Sequence, residues 1–141
     1  YIVAGILDRN YLLESPDNRN ELYQRLVAYT VRLAFTVLKI PTDSAHVIIE
    51  QSFTNATLNA TFESRVSEAI DIAQNQVVIA PKTNREWGHG LQVADYVTWS
   101  LFQKYERQNE EFADLLRKRI ICENLVGSIG GQIRSIDELW R

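Results

Sequence analysis

Asp95 is a carboxylate at a position where it could do chemistry. It belongs to the stretch His89–Tyr96 (HGLQVADY), which predicts the start of a helix, and it falls between Trp99 and Phe102 at the edge of an apolar stripe. A carboxylate in apolar surroundings is costly unless it is paired, hydrogen-bonded or bound to a cation. The alternative is a capping or salt-bridged aspartate, because the helix dipole favours negative charge in a first turn. The members of the predicted stripe are Leu91, Ala94, Leu101, Phe102 and Tyr105.

Glu50 is the second candidate, because it ends the apolar segment Ala45–Glu50 (AHVIIE), which predicts a buried strand. Open α/β sheets place their binding sites at the carboxyl ends of strands. The alternative is a solvated residue that opens the polar loop beyond the strand. An acid at a strand end and another at a nearby helix start can share a divalent cation through oxygen ligands. Asp95 and Glu50 are therefore the predicted metal ligands.

Lys82, Arg85 and His89 accompany Trp87 in the loop that follows the third predicted strand. Cationic side chains contact backbone phosphates, and aromatic side chains stack on bases. The mixture therefore predicts a nucleic-acid contact surface. The alternative is a solvated loop whose tryptophan is tucked into the core.

Hydrophobic periodicity predicts alternating strands and helices. This order indicates one α/β domain, in which the three strands pair in a sheet and the first and third helices pack on its faces. Cys122 falls in the last predicted helix, so we expect a reduced and largely buried thiol. The predicted strands are Tyr1–Leu7, Ala45–Glu50 and Gln76–Ala80, and the predicted helices are Asn20–Val37, Ala60–Gln74, Leu91–Tyr105 and Asn109–Leu125.

Composition bounds the class of protein. The 141 residues are 45% hydrophobic and 23% charged, which is typical of a globular domain. No apolar run approaches the roughly 18 residues of a membrane helix, so we expect no membrane partner and a cytoplasmic location. The single cysteine excludes an intrachain disulfide framework, and the net charge of −3 means that nucleic-acid binding would need a local basic patch. The chain begins inside an apolar run and lacks methionine, which suggests a fragment whose first elements lie upstream.

The stretch Leu91–Tyr96 (LQVADY), followed by Trp99 and the charged Lys104–Arg107 (KYER), resembles the domain-of-unknown-function 3800 family. The closing pattern of that family is a Leu-Gln-Leu/Val-Ala-Asp helix start and then a second helix rich in charges. The segment Ala45–Glu50 resembles the family's middle strand, and Tyr1–Leu7 resembles an earlier core strand.

The resemblance implies a ribonuclease H-like, integrase-type fold over residues 1–125, a mixed sheet flanked by helices, with 126–141 as a C-terminal extension of the same domain. It also implies acids that hold Mg²⁺ or Mn²⁺ for phosphodiester hydrolysis. Two departures concern those acids. The family's opening Asp-Glu-Ser-Gly strand is absent from the sequence, and Glu50 stands where aspartate is commoner.

Two functions follow from these patterns. The first is a metal-dependent nuclease, in which two cations clamp the attacking and leaving oxygens, Asp95 and Glu50 are catalytic ligands, and Lys82 or Arg85 contacts a phosphate. The second is a non-catalytic module that retains the fold and binds protein or nucleic acid, and there Asp95 only caps its helix. Binding of Mn²⁺ through Asp95 separates the two hypotheses.

Overall fold

Strands and helices alternate along the described part of the chain, which confirms the α/β class. The computed structural model describes residues 1–7, 19–51, 53–81 and 88–126. The strands are Ile2–Leu7 (β1), Val47–Glu50 (β2), Val77–Ala80 (β3) and Ile120–Val126 (β4), and the helices are Arg19–Leu38 (α1), Ala56–Ile70 (α2), Gly88–Arg107 (α3) and Glu111–Leu116 (α4). Within these residues, none of the helices is both long and apolar enough to cross a membrane.

The β2–α2–β3 segment forms a parallel unit in the predicted order. Val47 to Glu50 of β2 pair in register with Val77 to Ala80 of β3. The connecting helix begins where Asn55 accepts backbone hydrogen bonds at its side-chain oxygen, 2.8 Å from the Thr57 nitrogen and 3.3 Å from the Leu58 nitrogen. These bonds satisfy amide groups that a helix start leaves without partners. The cap explains why α2 begins four residues earlier than the sequence predicts.

The prediction of a single sheet containing β1, β2 and β3 is wrong for the residues that the structure describes. Strand β1 pairs in parallel with β4, and β2 pairs in parallel with β3, so these strands form two separate two-stranded sheets. The pairing of β1 with β4 was not predicted, because the sequence pattern predicts a helix over residues 120–125. Periodicity identifies strands, but it does not determine which strands pair.

The predicted helix Asn109–Leu125 is also wrong in its second half. The helix α4 ends at Leu116, a turn follows, and Ile120–Val126 is a strand. Two adjacent β-branched isoleucines at its start favour the extended backbone, and pairing with β1 stabilises it. Cys122 therefore lies in a strand rather than a helix, as a free and half-buried thiol rather than a largely buried one.

Helix α1 packs on both sheets, whereas the sequence predicts that the segment Asn20–Val37 packs on one. Ala28 of α1 is fully buried in a core that includes Ile49 of β2 and Val77 of β3. The same helix approaches β1 at Gly5, where an added Cβ would lie 3.3 Å from the Cβ of Thr30 and closer still to its hydroxyl oxygen. The glycine leaves room there for the Thr30 side chain, which packs directly against the strand.

Candidate acidic edge and flanking surfaces

Glu50 lies at the carboxyl end of β2, where the sequence predicts a site. Its partner in the parallel ladder is Ala80, the last residue of β3, and the Gln51 backbone N–H donates to the Ala80 carbonyl at 2.9 Å. Glu50 is half-buried, so its carboxyl group stands at the rim of the sheet rather than in the core. We name the ends of the two strands, Glu50, Gln51 and Ala80, the acidic edge.

The predicted nucleic-acid contacts follow the acidic edge along the chain. Pro81 comes directly after Ala80, which is paired with Glu50, and α3 begins at Gly88. Lys82 and Arg85 lie outside the described residues.

His89 is exposed in the first turn of α3. Its imidazole is therefore accessible to a ligand on that side of the helix.

Asp95 is exposed on α3, which corrects the physical reason for selecting it. The sequence places it against a buried stripe, yet Trp99 is 43% exposed and Phe102 is 46% exposed. Of the predicted stripe, Leu101 is buried and Leu91 is half-buried, whereas Ala94, Phe102 and Tyr105 are exposed. An exposed carboxylate has no desolvation cost for a cation to relieve, so its role as a metal ligand depends on the resemblance alone.

The described residues contain no cluster of three or more histidine, cysteine or acidic side chains that could hold a metal ion. A site built from Glu50 and Asp95 alone would supply two carboxylates. Divalent cations bound by so few protein ligands keep several waters in their coordination shell. The pair of acids therefore stays a prediction.

The exposed side of α3 carries large apolar side chains. They are Val93 at 63% exposure, Tyr96 and Trp99 at 43%, Phe102 at 46% and Tyr105 at 39%. We name this set the α3 aromatic surface. The helix packs most extensively against α4, where the ring of Trp99 lies 4.5 Å from that of Phe112 between centroids. The sequence predicts instead that α3 packs on a sheet through a stripe that includes Phe102 and Tyr105.

A three-residue cluster that the sequence analysis missed joins α3 to β4. The Lys104 ammonium donates to the Glu123 carboxylate at 2.8 Å, and the Tyr105 hydroxyl donates to the same oxygen at 2.5 Å. A cavity of about 160 Å³ lies beside Lys104 and Glu123 and extends to Asp114 and Arg117. The cluster was not predicted, because the sequence pattern predicts a helix over β4. Residue 123 of a helix would not be expected to face Lys104 of α3.

The electrostatics of this cluster favour a fixed set of protonation states. Burial raises the pKa of the Glu123 carboxyl, but the hydrogen bonds from Lys104 and Tyr105 outweigh it and leave that pKa below its ordinary value. The hydrogen bond to Glu123 raises the pKa of Lys104, and burial followed by the same carboxylate raises the pKa of Tyr105. Near neutral pH all three groups keep their ordinary charges. The cluster is therefore a structural link rather than an acid–base pair.

Comparisons with known proteins found no relative of this chain. No protein-family model, no curated protein and no solved structure matches the chain.

Proposed function

We propose that the chain is part of a metal-dependent nuclease whose site lies at the acidic edge, with Glu50 and Asp95 as ligands of Mg²⁺ or Mn²⁺. The observation that carries the proposal is the pairing of Glu50 with Ala80 at the carboxyl ends of two parallel strands. Ligands of open α/β sheets bind at such ends. The likeness of Leu91–Tyr96 to the closing motif of the domain-of-unknown-function 3800 family supports Asp95 as the second acid.

In this proposal, the acidic side chains and the basic side chains have separate tasks. Glu50 and Asp95 would hold the cations through their carboxylate oxygens, and the cations would supply electrostatic stabilisation for an in-line displacement at phosphorus. Lys82, Arg85 and His89 supply cationic or polar contacts to the phosphates of the nucleic acid. Their segment follows β3 directly in the sequence, next to the strand end that pairs with Glu50.

A calorimetric Mn²⁺ titration tests this proposal on the chain itself. We expect wild type to bind Mn²⁺, and we expect E50Q and D95N each to lose at least about tenfold in affinity, because each removes one anionic ligand. The control is E106Q, which removes an exposed carboxylate from the same helix as Asp95. Equal Mn²⁺ affinity in wild type, D95N and E50Q would contradict the assignment.

A second candidate function is a non-catalytic module that binds single-stranded nucleic acid, and the α3 aromatic surface favours it. Exposed aromatic rings stack on bases without sequence preference. The Arg107 guanidinium carbon lies 6.0 Å from the centroid of the Phe102 ring, so a cation borders the surface. This arrangement suits a strand whose bases contact the rings while its backbone meets the cation.

Fluorescence anisotropy with a labelled single-stranded oligonucleotide tests the second candidate. We expect F102A to weaken binding by about tenfold or more, because stacking contributes about 1–3 kcal/mol for each base. L115A is the matched control, since Leu115 is 72% exposed on α4 and is not part of the α3 aromatic surface. Binding that persists in EDTA and depends on Phe102 supports the module. Binding that requires Mn²⁺ and Asp95 supports the nuclease.

A further inference from the structure

Three arginines converge between α1 and α2, and none of them is among the residues proposed above. Arg25 and Arg32 lie seven residues apart on α1, about two helical turns, and so share one face. Arg65 reaches the same place from α2. Together with Glu68 and Ala69 of α2 they line a surface cavity of about 350 Å³.

One carboxylate holds two of these guanidinium groups together. Glu21 accepts from Nη2 of Arg25 at 2.8 Å and from its Nε at 3.2 Å, and it also accepts from Nη2 of Arg65 at 3.3 Å. The hydrogen bond from Arg25 is the largest reason that the pKa of Glu21 lies below its ordinary value. The carboxylate is therefore charged at neutral pH, and it fixes the two arginine side chains beside the cavity.

One donor beside the cavity is buried without an acceptor among the described residues. The Glu68 carboxylate, which lines the cavity, accepts a hydrogen bond from the Ser64 hydroxyl at 2.7 Å. Nη1 of Arg65 is buried and has no hydrogen-bond partner within the described structure. A buried charged donor without an acceptor is unfavourable, so an additional acceptor near Arg65 would stabilise the folded chain.

We propose that this cavity, lined by Arg25, Arg32 and Arg65, binds the phosphate group of a ligand. Guanidinium groups present planar forks of N–H donors that match the oxygens of a phosphate. Because Glu21 already fixes two of the forks, little side-chain entropy is lost when the anion binds. The cavity volume exceeds the roughly 30 Å³ share of a single water, so it has room for a phosphate with bridging waters.

The proposal is independent of the nuclease and of the α3 aromatic surface. It requires neither a metal ion nor Asp95, and Arg25, Arg32 and Arg65 belong to different helices from that surface. Two sources could supply the phosphate: a free phosphate ester, or the backbone of a nucleic acid. Both present the same phosphate oxygens to the arginines. Only for a nucleic-acid backbone should a longer strand bind more tightly than a single phosphate.

An NMR titration with inorganic phosphate tests the site, with sodium chloride adjusted to keep the ionic strength constant. We expect the side-chain Nε–H signals of Arg25 and Arg65 to shift on addition of phosphate. We expect R32Q to weaken phosphate binding by at least about tenfold, because it removes charge-assisted hydrogen bonds. Arg65 is not replaced in this test, because its bond to Glu21 also links α1 to α2.

The control K118Q removes one positive charge from an exposed position outside the cavity. Phosphate affinity unchanged in K118Q and reduced in R32Q supports the site. Equal loss in the two variants would attribute binding to net charge and overturn the proposal, as would a wild-type chain that does not respond to phosphate. Should R32Q lose its dispersed amide spectrum, R32K provides the test, because it keeps the charge but removes the fork and should bind phosphate more weakly.

Two further ligands separate the sources of the phosphate. A mononucleotide that binds as tightly as a single-stranded oligonucleotide, with both weakened by R32Q, identifies a phosphate ester. An oligonucleotide that binds more tightly than the mononucleotide, with the same dependence on Arg32, identifies a nucleic-acid backbone. Oligonucleotide binding that is lost in D95N but retained in R32Q would belong to the nuclease proposal and would count against this site.

Discussion

Lys104 on α3 and Glu123 on β4 form an ion pair of 2.8 Å across 19 residues of sequence. Both side chains are about three-quarters shielded from solvent, and the adjacent Tyr105 hydroxyl donates to the same carboxylate oxygen. A partly shielded ion pair with a second hydrogen bond is worth more than a fully exposed one. The ion pair joins α3, which the sequence predicts, to β4, which the sequence does not predict.

The first prediction concerns the pH dependence of stability. Because the pKa of Glu123 is lower in the folded chain, its contribution is present above the ordinary value of 4.5 and is lost as pH falls further. Because the pKa values of Tyr105 and Lys104 are raised, their contributions are present below the ordinary values of 10.0 and 10.5 and are lost as pH rises beyond them. We therefore expect the urea midpoint to fall at both extremes.

The variant E123Q should reduce both effects and cost about 1–3 kcal/mol at neutral pH, since it replaces the charged acceptor of two hydrogen bonds with a neutral amide. Some acid dependence should remain, because the pKa of Glu21 is also lowered, by its hydrogen bond from Arg25. If the urea midpoint falls equally at alkaline pH in E123Q and wild type, this cluster does not cause that fall. Urea denaturation across pH, followed by circular dichroism, provides the measurement.

The second prediction tests the core around Phe62. Its side chain is fully buried on α2, and its ring lies 5.7 Å from that of Tyr23 and 5.9 Å from that of Phe53 between centroids. We expect F62A to lower the free energy of unfolding by about 3–5 kcal/mol, through lost burial and the cavity left behind. L115A, at a position that is 72% exposed, should change it by less than about 0.5 kcal/mol. Similar denaturation midpoints for the two variants would contradict the described core.

Much of the fold could be predicted from the sequence, because its elements have strong periodic patterns. The strand Val77–Ala80 and the helices Arg19–Leu38 and Gly88–Arg107 lie where predicted, within three residues at each end. The strand Ile120–Val126 was missed because the charged segment before it extends a helical pattern. Its extended form depends on pairing with Ile2–Leu7, a contact between the two ends of the described chain that local pattern does not encode.

The site was less predictable than the fold for a related reason. Glu50 lies at the carboxyl end of its strand as predicted, because a strand end is a local property. The exposure of Trp99 and Phe102 beside Asp95 was not predicted, because it depends on what covers α3. The arginines of the α1–α2 cavity were not singled out either, since Arg65 meets Arg25 only once two helices pack.

The third prediction concerns the close approach of α1 to β1. An added methyl at Gly5 would collide with the Thr30 side chain, whose hydroxyl donates to the Leu26 carbonyl at 2.8 Å. We expect G5A to destabilise the fold by about 1–3 kcal/mol through overpacking. The double variant G5A/T30A should recover part of that loss, because it removes the hydroxyl. Strict additivity of the two single changes in urea denaturation would show that the residues do not touch.

The last prediction separates a structural from a functional role for Asp95. Because the residue is exposed on α3, replacement by asparagine removes a charge without opening a cavity or stranding a buried group. We expect D95N to change the free energy of unfolding by less than about 0.5 kcal/mol, measured by urea denaturation without metal. If Asp95 binds a cation, addition of Mn²⁺ should stabilise wild type more than D95N, because a ligand that binds only the folded state raises its stability. Asp95 lies seven residues beyond the start of α3 at Gly88, so it is not the helix cap that the sequence offered as the alternative. If the residue binds no cation, Mn²⁺ should shift both midpoints equally, and E106Q should behave in the same way. A D95N chain that is much less stable without metal would show that the carboxylate supports the fold, contrary to its exposed position.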